Sequence, residues 1–268
     1  MSKIMIQGTT SSAGKSLMAT GLCRIFKEDG YRIYPFKSQN MTSKYFKCQD
    51  GSLMSPAQAL QALAAGLEPN PDMNPILLVP TSNIGSRVIL MGEDKHHMEA
   101  QEYFQFRKSL KPMIEELYKS LEKENDVMVI EGAGSPAEIN LKEDDIVNMG
   151  MAEIADAPVL LVADIDRGGV FASLYGTVML LEEEERSRVK GLIINKFRGD
   201  KSLLEKGLKM IEDLLNIPVV GVVPFEDFNF PEIQAKFDKE ELEKEFVKLS
   251  KSLRENLDIE KIYEIMGL

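Results

Sequence analysis

The sequence predicts an α/β protein built on a mainly parallel sheet with helices on its faces. Three observations predict this class. Short apolar runs alternate with longer helical patterns, several of these runs are apolar without interruption, and a glycine-bounded, serine-rich loop joins the first run to the first helical pattern. Strands that helices cover on both faces give such uninterrupted apolar runs.

The first loop is Gly8-Thr9-Thr10-Ser11-Ser12-Ala13-Gly14-Lys15-Ser16, between the apolar residues 3–7 and a helical pattern over 17–26. Its glycines let backbone N–H groups turn toward phosphate oxygens, and the following helix adds its positive dipole end. Lys15 supplies a charge, and Ser16 supplies a hydroxyl for Mg²⁺. This layout predicts a P-loop NTPase that binds ATP and Mg²⁺, with nucleotide contacts from Gly8, Thr9, Thr10, Ser12, Ala13, Gly14, Lys15 and Ser16.

The loop departs from the common motif, because five residues instead of four separate Gly8 from Gly14. It is therefore a variant of the phosphate-binding loop. The alternative interpretation is a Gly/Ser-rich turn with a surface lysine.

The remaining strands are predicted from the other apolar runs. We expect the main strands at residues 3–7, 31–36, 126–131, 158–164, 189–194 and 218–223, with helices between them. Residues 76–79 and 87–91 are expected to form an extra edge hairpin beyond a helix over 55–66, and a further helix is expected over 170–181.

Length and composition favour one large α/β domain over residues 1–225 and a tail over 226–268. The tail carries one apolar stripe at helical spacing, formed by Leu242, Phe246, Leu249, Leu253 and Leu257. Asp238 followed by Glu241 is typical of a helix N-terminus. The stripe either packs the tail on the body or docks a partner protein.

Charge and hydropathy exclude several classes of protein. A net charge of -11 and a pI near 4.9 oppose non-specific binding to nucleic acid or to an anionic membrane. No run approaches 18 apolar residues, and the N-terminus leads directly into a strand without a signal-peptide pattern. We therefore expect a cytoplasmic protein that binds neither nucleic acid nor membrane.

Cysteine and histidine give no metal or disulfide pattern. Cys23 and Cys48 are the only cysteines, so neither a disulfide framework nor a cysteine metal site is supported. His96 and His97 fall in an expected polar turn without a third ligand nearby, which favours a solvated pair over a zinc site.

Polar residues follow the ends of the predicted strands, where ligands collect in open parallel sheets. Lys37, followed by the amides of Gln39 and Asn40, could face a transferred phosphoryl group or a substrate carboxylate. Glu131 ends a strand, and a carboxylate there suits Mg²⁺. The alternatives are a solvated lysine and a loop or capping acid.

Later strand ends add further candidates. The acidic loop over 135–148 contains Glu138 and Asp145. Their carboxylates could hold a second metal ion or polarise an amine nucleophile. Asn195 and Lys196 follow another strand, where an asparagine amide could read an adenine edge. Pro224 precedes Phe225 at the last strand end, a segment that could cover the base. Each of these residues could equally have only a structural role in the folding of its loop.

Several segments resemble the ATP-dependent synthetase domain of the cobyric acid synthase family, a glutamine-dependent amidotransferase family of cobalamin biosynthesis. They are PFKSQNM (35–41), MNP (73–75), EGAGSPAEINL (131–141), DIVNMGMA (145–152), ADIDRGGVFA (163–172) and INKFRGD (194–200). The resemblance covers residues 1 to about 225. It extends to dethiobiotin synthetase, whose phosphate loop also has the longer glycine spacing, so it implies a dethiobiotin synthetase-like fold.

The resemblance implies that ATP phosphorylates peripheral carboxylates of adenosyl-cobyrinic acid a,c-diamide and that ammonia then displaces the phosphate. It assigns phosphates and Mg²⁺ to Lys15, Ser16 and Glu131, and phosphoryl transfer to Lys37. It assigns the base to Asn195, and the intermediate or ammonia to Asp145, with Glu138 as a second favoured acid. Relatives of this kind often pair their subunits, so the resemblance also points to a homodimer.

The sequence departs from the family in two places. Leu53-Met54-Ser55-Pro56-Ala57-Gln58 lacks an acid and an arginine that family members often carry, and nearby Asp50 is the candidate metal ligand in their place. Members also carry a glutaminase domain with a nucleophilic cysteine and a histidine. No cysteine follows position 48 here and no histidine follows position 97. We therefore expect ammonia from solution or from a separate glutaminase subunit, unless this chain is a domain excised from a longer protein.

Two other functions remain open on this reading. One is a nucleotide-dependent switch or scaffold of the chromosome-partitioning type, although Thr9 and Thr10 stand where those proteins usually carry a signature lysine. The other is a dethiobiotin-type enzyme that activates a different carboxylate.

Overall fold

The fold was obtained as a computed structural model, which describes residues 1–82, 84–142, 144–230 and 238–268. Glu143 of the acidic loop and Pro231 in the tail lie outside the described residues, as does the side chain of Leu141. Within the described ranges, the strands are β1 (Ser2–Gly8), β2 (Ile33–Phe36), β3 (Gln39–Met41), β4 (Phe46–Lys47), β5 (Leu53–Met54), β6 (Ile76–Pro80), β7 (Gly85–Leu90), β8 (Glu93–Glu99), β9 (Val127–Glu131), β10 (Val159–Asp164), β11 (Val189–Phe197) and β12 (Val219–Pro224).

Helices follow most of these strands, as expected for an α/β protein. They are α1 (Lys15–Glu28), α2 (Pro56–Ala65), α3 (Ala100–Lys108), α4 (Lys111–Glu124), α5 (Met149–Ala155), α6 (Val170–Met179), α7 (Glu183–Arg188), α8 (Glu205–Leu215), α9 (Lys239–Asn256) and α10 (Ile259–Met266). Short 3-10 helices cover Pro71–Met73, Ile139–Leu141 and Lys201–Leu204. None of the helices in the described ranges is both long enough and apolar enough to cross a membrane.

The main sheet has six parallel strands in the order β12-β11-β10-β1-β9-β2. All six predicted strands are confirmed, and the predicted fold class is confirmed with them. The chain leaves β9 on one side of β1 and returns as β10 on the other side, which puts the reversal of strand order at β1. Ligands bind outside the carboxyl ends of the strands at such a reversal.

Two apolar layers cover the main sheet. One layer packs α4, α5, α6 and α8 on one face, and the other packs α1, α9 and α10 on the opposite face. Val129, Leu160 and Ile193 in the second layer are fully buried. Because helices bury these strands on both faces, the sequence of each strand is apolar without interruption.

A second sheet of four strands, in the order β3-β6-β7-β8, stands beside the main sheet. The predicted hairpin is confirmed as β6 and β7, which pair antiparallel. Its predicted place at an edge of the main sheet is wrong, because β3 pairs parallel with β6 and completes a separate sheet.

The prediction of a polar turn at His96 and His97 is also wrong, because both residues lie in strand β8. His97 pairs with Arg87 of β7, and the ring nitrogen Nδ1 of His97 lies 3.0 Å from the Thr81 hydroxyl. The sequence of Glu93–Glu99 does not predict a strand, because it is nearly all charged or polar and lacks alternating apolar and polar residues.

The tail packs on the body, and the predicted stripe is buried. Leu249 and Leu253 are fully buried against α1, where a side chain at Gly21 would overlap Leu253. Arg24 of α1 donates to Glu28 and to Glu243 of α9. Asp238 accepts from the backbone N–H groups of Glu240 and Glu241, which confirms the predicted helix start.

Candidate nucleotide and phosphoryl-transfer site

The phosphate-binding loop leaves β1 at Gly8 and enters α1 at Lys15. Ser12 has φ 61° and Gly14 has φ 111°, so the loop uses the left-handed region twice, and glycine is the residue that adopts it without cost. A side chain at Gly14 would also overlap the amide of Asn195. Glycine is therefore required at position 14 for two reasons: the backbone angle is left-handed, and the Asn195 amide leaves no room for a side chain.

Lys15 lies along this loop and is 6% exposed. Its Nζ donates to the carbonyl oxygens of Thr10 at 3.0 Å and Gly134 at 2.8 Å. Burial lowers the pKa of Lys15 to about 8. The negative charges of Glu131 and Glu138 oppose this shift, and the positive charge of Lys37 reinforces it. Anionic phosphate groups beside this ammonium would favour its charged form.

Glu131, at the end of β9, binds three donors from three other parts of the chain. Its Oε1 accepts from the Ser16 hydroxyl at 2.8 Å and from Lys37 Nζ at 2.5 Å, and its Oε2 accepts from Gln61 Nε2 at 2.6 Å. Burial would raise the pKa of Glu131, but the Lys37 charge and the hydrogen bonds from Lys37, Ser16 and Gln61 together lower it. Glu131 is therefore a carboxylate, although its side chain is only 1% exposed.

The donor atoms at Ser16 and Glu131 fit Mg²⁺, which takes oxygen ligands and usually one or two carboxylates together with phosphate oxygens. When bound with nucleotide, Mg²⁺ would neutralise phosphate charge there. The described residues contain no cluster of three or more His, Cys, Asp or Glu side chains suited to a metal.

Asp50, the third predicted metal ligand, is not among the described residues that line the cavity beside Ser16 and Glu131. Its carboxylate accepts from the backbone N–H and the hydroxyl of Ser52, and these hydrogen bonds lower its pKa. The structure therefore gives Asp50 a turn-forming contact in an exposed loop.

A cavity of about 480 Å³ opens in front of the phosphate-binding loop. Seven predicted site residues line it together: Ser12, Lys15, Ser16, Lys37, Glu131, Glu138 and Asp145. They come from the loops that follow β1, β2 and β9, because these parallel strands end at the same edge of the sheet. The second sheet and α3 add Gln39, Asn40, Met41 and Arg107 to the lining.

Asp145 has backbone partners in this cavity wall. Its two carboxylate oxygens accept from the N–H groups of Val147, Asn148 and Gly150, at 2.8–3.2 Å. These contacts fold the chain into the start of α5. Its predicted catalytic role stays a prediction.

Glu138 has one contact of the same kind. Its Oε1 accepts from the Ser135 N–H at 2.9 Å and lies against Gly134, whose carbonyl oxygen accepts from Lys15. Its predicted catalytic role likewise stays a prediction.

Three further predicted nucleotide contacts, Asn195, Lys196 and Pro224, are not among the described residues that line this cavity. Asn195 Nδ2 donates to the Ala13 carbonyl at 2.9 Å, and Lys196 Nζ donates to the Ser12 carbonyl at 2.8 Å. Pro224 ends β12, and the Arg198 guanidinium lies 3.5 Å from the centre of the Phe225 ring beside it.

Sequence reasoning missed Gln61, Tyr103 and Asn148. Gln61 is fully buried on α2, and the signal that could have found it is its amide within the otherwise apolar run ALQALAA. Tyr103 donates to Gln39 Oε1 at 2.5 Å. Asn148 Nδ2 donates to the Ala133 carbonyl oxygen at 2.7 Å, and Asn148 Oδ1 accepts from the Ala133 N–H at 3.1 Å.

A phosphate-binding loop between the central strand of a parallel sheet and a helix, with a buried lysine and a serine paired to a carboxylate, defines a P-loop nucleotide-binding protein. The profile of the CobQ/CobB/MinD/ParA nucleotide-binding domain family, CbiA, matches residues 4–236. The chain belongs to this family.

The resemblance to cobyric acid synthase is confirmed by the relatives that the chain matches. The chain is 61% identical to the cobyric acid synthase of Alkaliphilus metalliredigens over 88% of this chain and 47% of that protein. It is 63% identical to that of Lachnoclostridium phytofermentans over 83% of this chain and 44% of that protein. The chain thus spans about half the length of the curated relatives it matches.

Among solved structures, the chain is similar to the MinC:MinD cell division protein complex of Aquifex aeolicus. This likeness has a TM-score of 0.49 and 11% sequence identity, and it covers 100% of this chain and 96% of that chain.

Proposed function

We propose that this chain carries out the ATP-dependent amidation of peripheral carboxylates of adenosyl-cobyrinic acid a,c-diamide, in cobalamin biosynthesis, through an acyl phosphate. The identity to proteins named cobyric acid synthase supports the substrate class. The hydrogen-bonded arrangement of Ser16 with the buried Lys37 and Glu131, beside the phosphate-binding loop, supports the chemistry. The proposal depends most on this observation.

Each residue of this arrangement has a defined task in the proposal. Lys15 binds the terminal phosphates, because its ammonium lies within the loop. Ser16 and Glu131 hold Mg²⁺. Lys37 binds the phosphoryl group during transfer, because its side chain is only 5% exposed and lines the cavity beside Glu131. Water is largely absent around these charges, so they act on the transferring group more strongly than in solvent.

The acceptor carboxylate enters from the open side of the cavity, opposite the phosphate-binding loop. A carboxylate exchanges its oxygen poorly until phosphate has made that oxygen a leaving group, so the main work of the protein is to position reactants and neutralise charge. The amides of Gln39 and Asn40 line the cavity, and in this proposal they donate hydrogen bonds to the acceptor.

In this proposal neither cysteine of this chain releases ammonia from glutamine, so ammonia comes from solution or from a glutaminase site outside residues 1–268. Cys23 and Cys48 are both buried, and burial raises the pKa of both thiols. A cysteine that attacks glutamine needs an accessible thiolate with a lowered pKa. Neither cysteine meets this requirement.

The test incubates the purified chain with ATP, Mg²⁺, ammonium chloride and adenosyl-cobyrinic acid a,c-diamide, and mass spectrometry follows amide formation. We expect one ADP for each amide group formed, and no amide when glutamine replaces ammonium. Lys37→Met should abolish both products. Lys190→Met changes an exposed lysine at the far end of β11 and should leave them unchanged.

The outcomes also separate the alternative functions. ATP turnover without corrinoid amidation would contradict the proposal. Stimulation by a different carboxylic acid would then indicate a dethiobiotin-type enzyme, and stimulation by a protein partner alone would indicate a switch ATPase.

A further inference from the structure

The outer face of helix α6 is exposed to solvent and carries no charge. No Asp, Glu, Lys or Arg occurs between Arg167 and Glu182, although 28% of the residues in the chain are charged. A surface helix normally places charged or polar residues on its solvent side. The exposed apolar residues that define this α6 face are Ala172, Tyr175, Met179 and Leu180. Adjacent exposed apolar residues of this kind mark a surface that binds another molecule.

Gly176 lies in the middle of the α6 face and keeps it shallow. A side chain added at this position would meet no described atom within 4 Å, so the position points away from the body of the protein. Glycine in the interior of a helix lowers the stability of that helix, and packing within this chain gives no reason for it. A second helix packed on the face gives one, because the distance between two helices depends on the side chains at their contact.

The α6 face is complementary to itself in size. When two copies of α6 run antiparallel across a two-fold axis at Gly176, residues equally far from Gly176 in opposite directions face each other. Ala172 then lies opposite Leu180 of the second copy, and Ser173 lies opposite Met179. Small residues at the start of the helix thus meet large residues at its end, as an interface formed by the same surface of two copies requires.

The charges at the two ends of α6 are unpaired or weakly paired. Arg167, before the helix, is 72% exposed, and its Nε lies 4.0 Å from Asp164 Oδ2. Lys196 Nζ lies closer to that carboxylate oxygen, at 2.6 Å. After the helix, Glu183 and Glu184 are exposed, and no described residue forms an ion pair with either of them.

The same antiparallel arrangement brings these opposite charges together. Val170 and Glu182 each lie six residues from Gly176, which corresponds to about 9 Å along a helix axis. The start of α6 in one copy therefore lies beside the end of α6 in the other. Arg167 of each copy comes within reach of Glu183 and Glu184 of the other, so the arrangement contains two such charge contacts.

We propose that two copies of this chain form a dimer through the α6 face, with the helices antiparallel across a two-fold axis at Gly176. Copies with a net charge of -11 repel each other, and an uncharged face with opposite charges at its ends is a surface on which they can meet. The inference does not depend on the proposed reaction. The contact would lie near the site, because Glu185 lines the cavity in front of the phosphate-binding loop.

The first test measures the mass of the chain in solution. Sedimentation equilibrium without added nucleotide, from micromolar to submillimolar concentration, should give twice the 30.1 kDa of the chain. A mass of 30.1 kDa over this whole range would overturn the proposal.

Gly176→Glu tests the position of the axis. The new side chain meets open space in a single copy and replaces glycine by a better helix former, so the variant should fold. At the centre of the interface it places two like charges together, and we expect the dissociation constant of the dimer to rise about a hundredfold or more. Circular dichroism checks the fold, and Met179→Glu replaces the variant if it does not fold. Unchanged dimerisation of a folded variant would contradict the proposal.

Val247→Glu is the matched control. Val247 is 48% exposed on α9, in the layer on the opposite face of the main sheet. This variant adds the same charge to an exposed apolar position, and it should dimerise as the wild type does. An equal loss in Gly176→Glu and Val247→Glu would attribute the effect to net charge alone and would also overturn the proposal.

Charge reversal tests the antiparallel orientation. Arg167→Glu and, separately, Glu183→Lys/Glu184→Lys should each raise the dissociation constant about threefold to tenfold, the second even though it lowers the net negative charge. The combination of all three substitutions restores both contacts and should dimerise within about twofold of the wild type. Tighter dimerisation of Glu183→Lys/Glu184→Lys, or no recovery in the combined variant, would refute this arrangement.

Discussion

The carboxylate of Glu131 is shared by donors from α1, α2 and the end of β2. Its partner Lys37 is also buried, so both charges have lost most of their contact with water. A buried ion pair gives little net stability over an apolar pair of similar size, but breaking one is costly because it leaves an uncompensated charge. The pair therefore contributes little net stability, although the loss of either partner alone is costly.

Removal of one partner should destabilise the fold more than removal of both. We expect Glu131→Leu to lower the free energy of unfolding by about 3–5 kcal/mol and Lys37→Met/Glu131→Leu to recover most of this loss. Urea denaturation at pH 7 measures both values. A single variant at least as stable as the double variant would contradict the account.

The same carboxylate should make stability depend on pH. The pKa of Glu131 in the folded state is lowered from its ordinary 4.5, so its contribution to stability is complete above that value and is lost as pH falls through the lowered folded-state pKa. The difference in unfolding free energy between wild type and the double variant should therefore stay constant between pH 5 and about pH 6.5, below the titration of Lys15, and should shift against the wild type in acid.

Proton uptake should accompany nucleotide binding above neutral pH. The pKa of Lys15 is about 8 in the free protein, and phosphate oxygens should raise it. Binding of ATP with Mg²⁺ at pH 8.5 should therefore take up about three quarters of a proton, and much less at pH 7. Calorimetry in two buffers with different ionisation enthalpies measures this uptake, and none at pH 8.5 would contradict the assignment of Lys15.

At the scale of elements, α9 covers the outer face of the helix that begins at the phosphate-binding loop. Gly21 allows the two helices to approach closely, since Leu253 occupies the space beside it. Leu249 and Leu253 are fully buried in this contact. The tail is thus part of the layer that holds α1 against the sheet.

Two substitutions in this contact should partly compensate each other. Leu253→Ala should cost about 2–5 kcal/mol by leaving a cavity, and Gly21→Ala about 1–3 kcal/mol by overpacking. In the double variant the new methyl group occupies part of the vacated space, so its cost should be smaller than the sum of the two single costs. Urea denaturation tests this, with Leu214→Ala on the exposed face of α8 as a control that changes little. Strict additivity would contradict the proposed contact.

The sequence predicted the six strands of the main sheet because burial on both faces makes them apolar throughout. It did not predict β8, whose residues are nearly all polar or charged, or β3, which has only three residues. Lys37 and Glu131 could be placed together because parallel strands end at a common edge. Gln61 could not, since its contact with Glu131 depends on how α2 packs across 70 residues of sequence. Asp145 shows a further limit, because a carboxylate that folds a loop and one that performs catalysis are alike in sequence.

At the scale of the whole molecule, the net charge of -11 disfavours nucleic acid. The cavity collects groups of both signs: four cations (Lys15, Lys37, Arg107 and Lys142) and four carboxylates (Glu131, Glu138, Asp145 and Glu185) line it. Lys37 is paired with Glu131, and Lys142 with Glu185. The main sheet explains this concentration, because its central strands deliver their polar ends to one edge.

Isotope transfer from the acceptor to phosphate tests the central claim most directly. Adenosyl-cobyrinic acid a,c-diamide carrying ¹⁸O in its free carboxylates is incubated with the chain, ATP, Mg²⁺ and ammonium, and the released phosphate is analysed by mass spectrometry. Phosphoryl transfer to the carboxylate, followed by attack of ammonia at the carbonyl carbon, predicts one ¹⁸O atom in each phosphate formed. Phosphate without ¹⁸O, formed together with amidated corrinoid, would contradict the account.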